Sequence, residues 1–405
     1  MVQTAAKASS ASTLPTSIAL PDWPVFEADE IHAVGEVMRS GKVNYWTGIE
    51  GRAFESEFAT WVGTPHAIAL TNGTVALEGA LKALGVGAGD EVVVTPRTFL
   101  ASASCVIAVG ATPVFADIDP DSGNVTPATI ERVLTPRTRA IIAVHLAGWP
   151  CDVDGLRAIA EPRGIWVIED CAQSHGARVG GRMTGALGHI AAFSFCQDKI
   201  MTTLGEGGMV TTSDRELWDR LWSYKDHGKS WTAVYDRAHP PGFRWLHESF
   251  GTNWRMTEVQ AAQGRVILRK VDDWVATRRR HACALSGAIG DLDAVRVPAP
   301  GPEIVHAYYK FYAYVRPQAL AAGWTRDRIM NEITSSGVPC FSGSCSEIYL
   351  EKAFDGHPSR PPERLPVARD LGETSLMFLV HPTLSDEDVA RVAEVARTVL
   401  RRATR

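Results

Sequence analysis

The sequence lacks the features that define disulfide-rich, membrane-spanning and nucleic-acid-binding proteins. Its seven cysteines are odd in number, scattered, and never arranged as Cys-x-x-Cys, which favours reduced thiols over a disulfide framework or a zinc ribbon. No apolar run approaches the roughly 18 to 20 residues that span a bilayer. The formal net charge of −5 provides no basic surface for nucleic acid. We therefore expect a cytoplasmic protein that binds no metal, membrane or nucleic acid.

The N-terminus is likewise short of apolar residues. The first 17 residues are rich in Ala, Ser and Thr with a single Lys, without the contiguous apolar stretch of a signal peptide and with too little Arg for a transit peptide. We predict a flexible tail over residues 1–17. The remaining chain is too long for one ordinary core, so we expect a large domain over residues 18–270 and a smaller one over residues 271–405.

The chain between residues 66 and 215 alternates short apolar runs with helical patterns, which predicts an α/β domain. Runs that are apolar throughout are typical of strands covered by helices on both faces. The pattern therefore predicts a mostly parallel, doubly wound sheet. Its predicted strands are residues 66–70, 91–95, 112–116, 140–144, 165–168, 190–194 and 209–212.

The C-terminal part is predicted to form a smaller α+β domain. A long helix is expected to begin near Thr257 and to run into the 280s, and the alternating residues 306–315 predict a strand. The chain is expected to close with an amphipathic helix. Ser385 and Asp388 form its capping box, with Asp in place of the usual Glu.

Lys199 and Asp170 together predict a pyridoxal phosphate (PLP) site. Lys199 is followed by a Gly-rich segment at residues 205–208, which leaves room for the backbone to approach a ligand. Asp170 follows a buried strand, at the sheet edge where ligands of open α/β folds bind. The amine can condense with the cofactor's aldehyde, and the carboxylate can keep the pyridine nitrogen protonated. The alternatives are a surface lysine before a turn and an aspartate that caps the next helix.

Several polar residues are candidates for holding the cofactor's phosphate. Gly73 and Thr74 begin a predicted helix, whose free N–H groups can bind an anion, although a plain turn is the alternative. Ser194 precedes the lysine segment and can donate to the phosphate. Asn253 and Arg255 can hold a phosphate or a carboxylate, unless they only form a loop that caps the following helix.

Two further residues are candidates for contacts with the cofactor ring. Phe99 follows a predicted strand, and its aromatic side chain can stack on a planar ring; the alternative is an ordinary core residue. Gln173 lies one turn after Asp170 and can hydrogen-bond the ring oxygen. These positions extend the predicted site along the same sheet edge.

Four motifs in this order resemble the sugar aminotransferases of the DegT/DnrJ/EryC1/StrS family, a branch of the fold type I PLP-dependent transferases. The motifs are residues 71–74, 167–176, 193–208 and 253–262. The resemblance implies a homodimer with active sites shared at the subunit interface. Carried onto this chain, the family's cofactor-binding residues are Gly73, Thr74, Phe99, Asp170, Gln173, Ser194, Lys199 and, from the partner subunit, Asn253.

The resemblance also implies a ping-pong transamination. L-glutamate or L-glutamine would donate the amino group to a keto group on a nucleotide-linked deoxysugar, with Lys199 as general base and acid. Trp46, Thr47 and Arg255 are candidate acceptor contacts. Leu204 stands where many members have Gly, and residues 341–349 lack a His-Tyr pattern that often lines the sugar pocket, so the acceptor stays open.

Other activities share parts of this pattern. A cyclitol aminotransferase acting on a keto-inositol uses the same machinery and stays open. A PLP-dependent sugar dehydratase is disfavoured, because such members carry His in place of Lys199. A PLP-binding regulator would carry a DNA-reading module, of which the acidic chain shows no pattern. A nucleotide-binding protein without PLP would carry G-x-G-x-x-G, which residues 71–74 do not match.

Overall fold

A computed structural model describes residues 20–405, so the tail predicted for residues 1–17 lies outside the described part. Twelve α-helices occur in the described part. They are α1 (Ala28–Ser40), α2 (Glu50–Val62), α3 (Gly73–Ala83), α4 (Ala101–Ala108), α5 (Pro127–Glu131), α6 (Val153–Ala160), α7 (Arg215–Lys225), α8 (Glu258–Leu268), α9 (Val271–Ile289), α10 (Arg326–Ser335), α11 (Pro366–Thr374) and α12 (Asp386–Ala403).

The same residues contain thirteen strands. They are β1 (His66–Leu70), β2 (Glu91–Val94), β3 (Thr112–Phe115), β4 (Thr138–Val144), β5 (Trp166–Asp170), β6 (Arg178–Val179), β7 (Arg182–Met183), β8 (Ile190–Ser194), β9 (Gly208–Thr212), β10 (Val295–Arg296), β11 (Ile304–Val305), β12 (Phe311–Val315) and β13 (Ser375–Phe378). Seven of them form the central sheet, in the order β1-β9-β8-β5-β4-β2-β3. All run parallel except β9, which is antiparallel to both of its neighbours. The predicted mostly parallel sheet is confirmed.

Helices cover both faces of this sheet. Successive side chains of a strand point to opposite faces, so neighbouring residues belong to different cores. Along β2, Val92 and Val94 belong to a core that includes residues of α3, α4 and α7. Val93, between them, belongs to the core built with α6 on the other face. At β1, Ala67 and Ala69 pack with residues of α2 and α8. This is the doubly wound α/β arrangement that the apolar runs predict.

Short polar residues fix where helices begin by bonding the free N–H groups of the first turn. Asn72 accepts from the N–H of Val75 at 3.0 Å at the start of α3. The predicted capping box of the last helix is present, because Ser385 and Asp388 each accept a bond from the other's backbone N–H. Helix α3, which Asn72 caps, forms part of the site described below.

The C-terminal part of the chain has its own core. The antiparallel sheet β10-β12-β13 packs with α9, α10 and α12 around residues that include Leu285, Ile329 and Val392. The predicted smaller α+β unit is therefore present. Its boundary with the large domain, predicted between residues 270 and 271, stays a prediction.

The single long helix predicted from Thr257 is wrong. Two helices, α8 and α9, meet at residues 269–270. Lys270 stays in the right-handed α region but has a φ of −101°, well away from the usual helical value of about −63°, and its ammonium lies within 2.9 Å of three carboxylates at the start of α1. No Gly or Pro occurs at the break. Contacts with α1, which is distant in sequence, accompany the bend.

The strand predicted over residues 306–315 is also too long, because β12 begins only at Phe311. Tyr308 adopts a left-handed conformation with φ 46°, which interrupts an extended strand. The N–H groups on either side of Tyr308 donate instead to carbonyls of the loop at residues 147–148. This turn brings residues 309 and 310 to the carboxyl edge of the central sheet.

Two expectations from composition can be compared with the described residues. All seven cysteines are free thiols, in line with the reduced state that their spacing predicts. Within residues 20–405, no helix combines the length and the apolar character needed to cross a membrane.

A buried ion pair joins α2, α7 and β1. The ammonium of Lys225 is fully buried and lies 2.8 Å from Oε1 of Glu55. The same oxygen accepts from the N–H of Ala69 at 2.9 Å. The second carboxylate oxygen accepts from the hydroxyl of Tyr45 at 3.1 Å. One carboxylate therefore fixes the loop at residues 43–48 to the sheet.

Lys225→Met is expected to destabilise the protein by about 3–5 kcal/mol, because it leaves the buried carboxylate of Glu55 without its cation. Equilibrium unfolding in urea measures the loss as a lower midpoint. The matched control is Lys352→Met, at an exposed lysine, which should change the free energy of unfolding by no more than about 0.5 kcal/mol. A Lys225→Met protein as stable as the wild type would contradict this role.

Candidate active site

A cavity of about 1060 Å³ lies at the carboxyl ends of the parallel strands. Ligands of open α/β sheets bind at this edge, since the loops that follow the strands converge there. Residues 309, 310, 312, 341 and 343–345 of the C-terminal part also contribute to the cavity wall. The cavity brings together seven predicted cofactor contacts, namely Gly73, Thr74, Phe99, Asp170, Gln173, Ser194 and Lys199.

The start of helix α3 forms one wall of the cavity. Asn72 is the extended N-cap residue, so the N–H groups of Gly73 and Thr74 belong to the open first turn, where they can bond an anion. A side chain cannot be accommodated at Gly73, since a Cβ there would lie 2.5 Å from Cβ of Ser194. Backbone N–H groups and the hydroxyls of Thr74 and Ser194 therefore converge on a small concave surface.

Strand β5 ends in two adjacent carboxylates with different environments. Glu169 accepts bonds from the backbone N–H groups of residues 185, 187 and 188, and it lies 2.9 Å from Nε2 of His145. Burial acts to raise its pKa, but the bond with His145 and the backbone N–H groups hold that pKa below its ordinary value. The carboxylate of Glu169 thus bonds other groups of the protein, and these bonds hold the end of β5 in place.

Asp170, by contrast, lines the cavity. Its Oδ2 accepts from the hydroxyl of Ser102 at 2.8 Å, and its Oδ1 accepts from the N–H of Ala172 at 3.1 Å. Burial raises the pKa of this carboxyl, and the two bonds offset the rise only in part. A cationic group of a ligand beside Asp170 would stabilise the ionised form.

The side chain of Gln173 is oriented by an unusual turn. Its Oε1 accepts from the N–H of Ala147 at 2.7 Å, and Ala147 has a left-handed φ of 56°. Because the amide oxygen is bonded, the NH2 group is the donor that Gln173 can offer to a ligand.

Lys199 lies in the loop after β8 and is partly buried. Its Nζ is 5.1 Å from the centroid of the Tyr309 ring, and the Tyr309 hydroxyl donates to Asp198. The indole N–H of Trp23 donates to the carbonyl of Lys199 at 3.0 Å, and Trp23 packs edge-on against Trp274. The backbone of the lysine is therefore supported from the N-terminal segment and from α9.

Sequence reasoning missed several residues that line the cavity. These include Ser102, Tyr309, Lys310 and Tyr312. The residues near 309 were not expected there because their alternating pattern predicts a regular strand, and no Gly or Asn marks the left-handed turn. Ser102 lies one turn after Phe99 in the helical segment, and that spacing is the signal that could have revealed it.

Four predicted contacts do not line this cavity. Thr47 and Asn253 are exposed. The guanidinium of Arg255 lies 2.5 Å from a buried aspartate, and Trp46 packs against a tryptophan of α7. Trp46, Thr47 and Arg255 do not line the cavity of their own chain, and their role as acceptor contacts stays a prediction. The role of Asn253, which requires a partner subunit, stays a prediction.

Comparison with known proteins gives a consistent result. The model of the DegT/DnrJ/EryC1/StrS aminotransferase family matches residues 24–397. The X-ray structure of an aminotransferase from Psychrobacter cryohalolentis has 55% sequence identity and a TM-score of 0.94, with 95% of this chain and 100% of that chain covered. A dTDP-3-amino-3,4,6-trideoxy-alpha-D-glucose transaminase from Streptomyces venezuelae is 35% identical over 90% of each chain. An L-glutamine:2-deoxy-scyllo-inosose aminotransferase from Streptoalloteichus tenebrarius is 33% identical over 94% of each chain.

The fold and the cavity thus define a PLP-dependent aminotransferase of fold type I. The chain belongs to the DegT/DnrJ/EryC1/StrS aminotransferase family, a family of sugar aminotransferases. The resemblance found in the four sequence motifs is confirmed, and so is the predicted fold class.

Asp170→Asn is expected to stabilise the cofactor-free protein at pH 7 by roughly 0.5–2 kcal/mol, the usual size of a stabilising substitution. The folded-state pKa of Asp170 is raised above 3.8, so ionisation destabilises the fold and the wild type loses stability as the pH rises above that value. The gain should be present at neutral pH and shrink as the pH falls toward about 4.

Melting temperatures of the wild type and Asp170→Asn across this pH range provide the measurement. Asp293→Asn, at an exposed aspartate, is the control and should show no such trend. A gain that grows at low pH would contradict a raised pKa at Asp170.

Proposed function

We propose that this protein moves an amino group from L-glutamate or L-glutamine to a keto group of a nucleotide-linked deoxysugar, with PLP as its cofactor. The observation that carries the proposal is the convergence of Lys199, Asp170 and the first turn of α3 in one cavity. An amine, a buried carboxylate and an anion-binding helix start are the three groups that PLP requires of a protein. We also propose a cytoplasmic location, which the seven free thiols support.

The residues present fit PLP. Gly73, Thr74 and Ser194 would hold its phosphate, in a cradle so close that a Cβ on Gly73 would collide with Ser194. Asp170 would pair with the ring nitrogen, because the buried carboxyl lacks a bonded cation of its own. Gln173 would donate its NH2 group to the ring oxygen.

The chain's own groups account for the proton chemistry. Bound PLP supplies a conjugated ring that accepts electrons from the α-carbon of the donor. The Nζ of Lys199 would take the proton released at that carbon and return it during amino transfer. Ionised Asp170 would stabilise positive charge at the ring nitrogen. Phe99, which is 71% exposed in this chain, offers an aromatic face that can hold a planar ligand.

The acceptor is proposed from the relatives together with the physical advantage of a large substrate. The Streptomyces venezuelae relative is named for a dTDP-linked aminosugar. A nucleotide distant from the keto carbon contributes binding energy that orients the reacting group. We retain Trp46, Thr47 and Arg255 as acceptor contacts only across a subunit interface, since they do not line the cavity of their own chain.

A cyclitol acceptor is the second candidate. The Streptoalloteichus tenebrarius relative, which is named for an inosose, covers as large a share of this chain as the sugar-nucleotide relative does. A dehydratase is disfavoured because Lys199 is present, whereas those family members carry His there.

We further propose a homodimer with shared active sites. The segment at residues 243–250 exposes Phe243, Trp245 and Phe250 by 77%, 80% and 99%, which is more apolar surface than scattered exposed residues provide. Asn253 follows this segment and is exposed as well. A second copy that covers the segment would bring Asn253 toward the phosphate site of the partner, as the family resemblance implies.

The function is tested by incubating the protein with PLP, each amino donor, a panel of keto-sugar nucleotides and a keto-inositol. Mass spectrometry then identifies which acceptor gains nitrogen. We expect amination of a nucleotide-linked keto-sugar. Lys199→Arg should lower the turnover rate by about 10²–10⁴-fold, because the guanidinium stays protonated and cannot act as a base.

Two outcomes of this experiment would redirect the proposal. Amination of the keto-inositol alone would select the second candidate. Normal multiple turnover by Lys199→Arg would show that another group is the base.

Gly73→Ala is expected to weaken PLP binding about tenfold or more, because overpacking against Ser194 costs about 1–3 kcal/mol. Absorbance titration of the cofactor-free protein with PLP measures the affinity. The control is Gly287→Ala in α9, where an added Cβ meets nothing within 4 Å, and it should bind PLP normally. Equal PLP affinity in both variants would place the phosphate elsewhere.

A further inference from the structure

A second amine lines the cavity and has no part in the chemistry described so far. Lys310 directly precedes strand β12, and its side chain contributes to the cavity wall. The Nζ of Lys310 lies 4.7 Å from the centroid of the Tyr309 ring, and the Nζ of Lys199 lies 5.1 Å from the same centroid. Two amines therefore approach one aromatic ring, and both residues line the same cavity.

The ammonium of Lys310 has only a distant counter-ion among the described residues. Its ion-pair partner is Asp198, with Oδ2 at 4.0 Å from Nζ, beyond hydrogen-bond distance. That same oxygen already accepts from the Tyr309 hydroxyl. The side chain of Asp198 is 56% exposed, whereas that of Lys310 is only 17% exposed. Lys310 is thus largely removed from water and poorly compensated, and a bound anion would stabilise it.

The charges around Lys310 leave this side of the cavity positive. Burial is the largest cause that lowers the pKa of Lys310 to about 8, and Arg278 and Lys199 lower it further while Asp198 opposes them. Arg278 is itself buried, and two of its nitrogens have no hydrogen-bond partner. His381 adds no charge at neutral pH, since burial first, and then nearby cations, lower its pKa to about 3.

We propose that Lys310 binds a carboxylate of the amino-acid donor while Lys199 acts on the donor's α-carbon. The α-carboxylate of an amino acid is bonded to the carbon that loses the proton. The residue that binds the carboxylate must therefore lie near the residue that takes the proton. Lys310 and Lys199 meet this requirement at the ring of Tyr309. The inference rests on the proposed function, and it adds the residue that recognises the donor. An acceptor that carries a carboxylate would present the same chemistry, so the test separates the two sources.

The first arm of the test uses a ligand that cannot react. Calorimetric titration of the PLP-loaded protein compares glutarate, a dicarboxylate without an amino group, with its uncharged diamide glutaramide. The wild type should bind glutarate and should bind glutaramide at least about tenfold more weakly. Lys310→Met should weaken glutarate binding about tenfold or more, because a charge-assisted bond is lost. Lys310→Arg should restore it, and Lys352→Met, at an exposed lysine, should match the wild type.

Two results of this arm would overturn the proposal. One is equal glutarate affinity in the wild type and in Lys310→Met. The other is a wild type that does not distinguish glutarate from glutaramide, since the site would then not recognise a carboxylate.

The second arm is a pH profile, which uses only folded, charge-retaining proteins and therefore stands even if Lys310→Met fails to fold. The pKa of Lys310 is about 8, so glutarate affinity should be level below that pH and fall by up to about tenfold per pH unit above it. Asp198, Lys199, Arg278 and His381 also lie around this amine, and Lys310→Arg retains all four. The profile of Lys310→Arg should therefore stay level to higher pH, and identical profiles would overturn the proposal.

The third arm identifies the source of the carboxylate. Release of 2-oxoglutarate from L-glutamate without any acceptor isolates the donor step. Lys310→Met should raise the half-saturating glutamate concentration about tenfold and leave the KM of the acceptor unchanged. The reverse pattern would assign the carboxylate to the acceptor and overturn the donor assignment. A wild type that releases neither 2-oxoglutarate from L-glutamate nor the corresponding oxo acid from L-glutamine would refute the proposed function, while glutarate binding would still report on Lys310.

Discussion

The site depends first on the way Glu169 holds the end of strand β5. Its buried carboxylate takes three backbone N–H groups and a histidine contact, which join the loop at residues 185–188 to the sheet. Because successive side chains of a strand point to opposite faces, fixing Glu169 on one side fixes Asp170 on the other. The carboxylate of Asp170, which lines the cavity, therefore projects from a backbone that has little freedom to shift.

Two charged groups of the cavity, Asp170 and Lys310, lack a close counter-ion in the described part of the protein. Asp170 bonds a hydroxyl and a backbone N–H rather than a cation, and Lys310 lies 4.0 Å from its carboxylate partner. Burial raises the pKa of Asp170 and lowers that of Lys310, so both groups are pushed toward their neutral forms. A site of this kind gives up stability in exchange for ligand binding. A cationic ring nitrogen and a donor carboxylate would supply the missing charges.

The central sheet, and the position of seven predicted site residues in one cavity, could be predicted because they follow from local patterns. Apolar runs mark the parallel strands, and residues that follow such strands meet at one sheet edge. The bend at Lys270 and the left-handed Tyr308 could not be predicted, since neither carries a Gly, Pro or Asn signal and both are accompanied by contacts with distant segments. Lys310 was missed for the same reason. The ion pair of Arg255 with Asp226 could not be predicted either, because the two residues are distant in sequence and motif order does not reveal such a contact.

Trp23 lies one residue before the segment that the family model matches, which begins at residue 24. It nevertheless bonds the carbonyl of Lys199 and packs against Trp274 and the guanidinium of Arg278, each at 5.1 Å. A recombinant version trimmed to the family boundary would therefore lose the indole that links the lysine loop to α9. Shortened forms made for crystallisation or engineering should start upstream of this tryptophan.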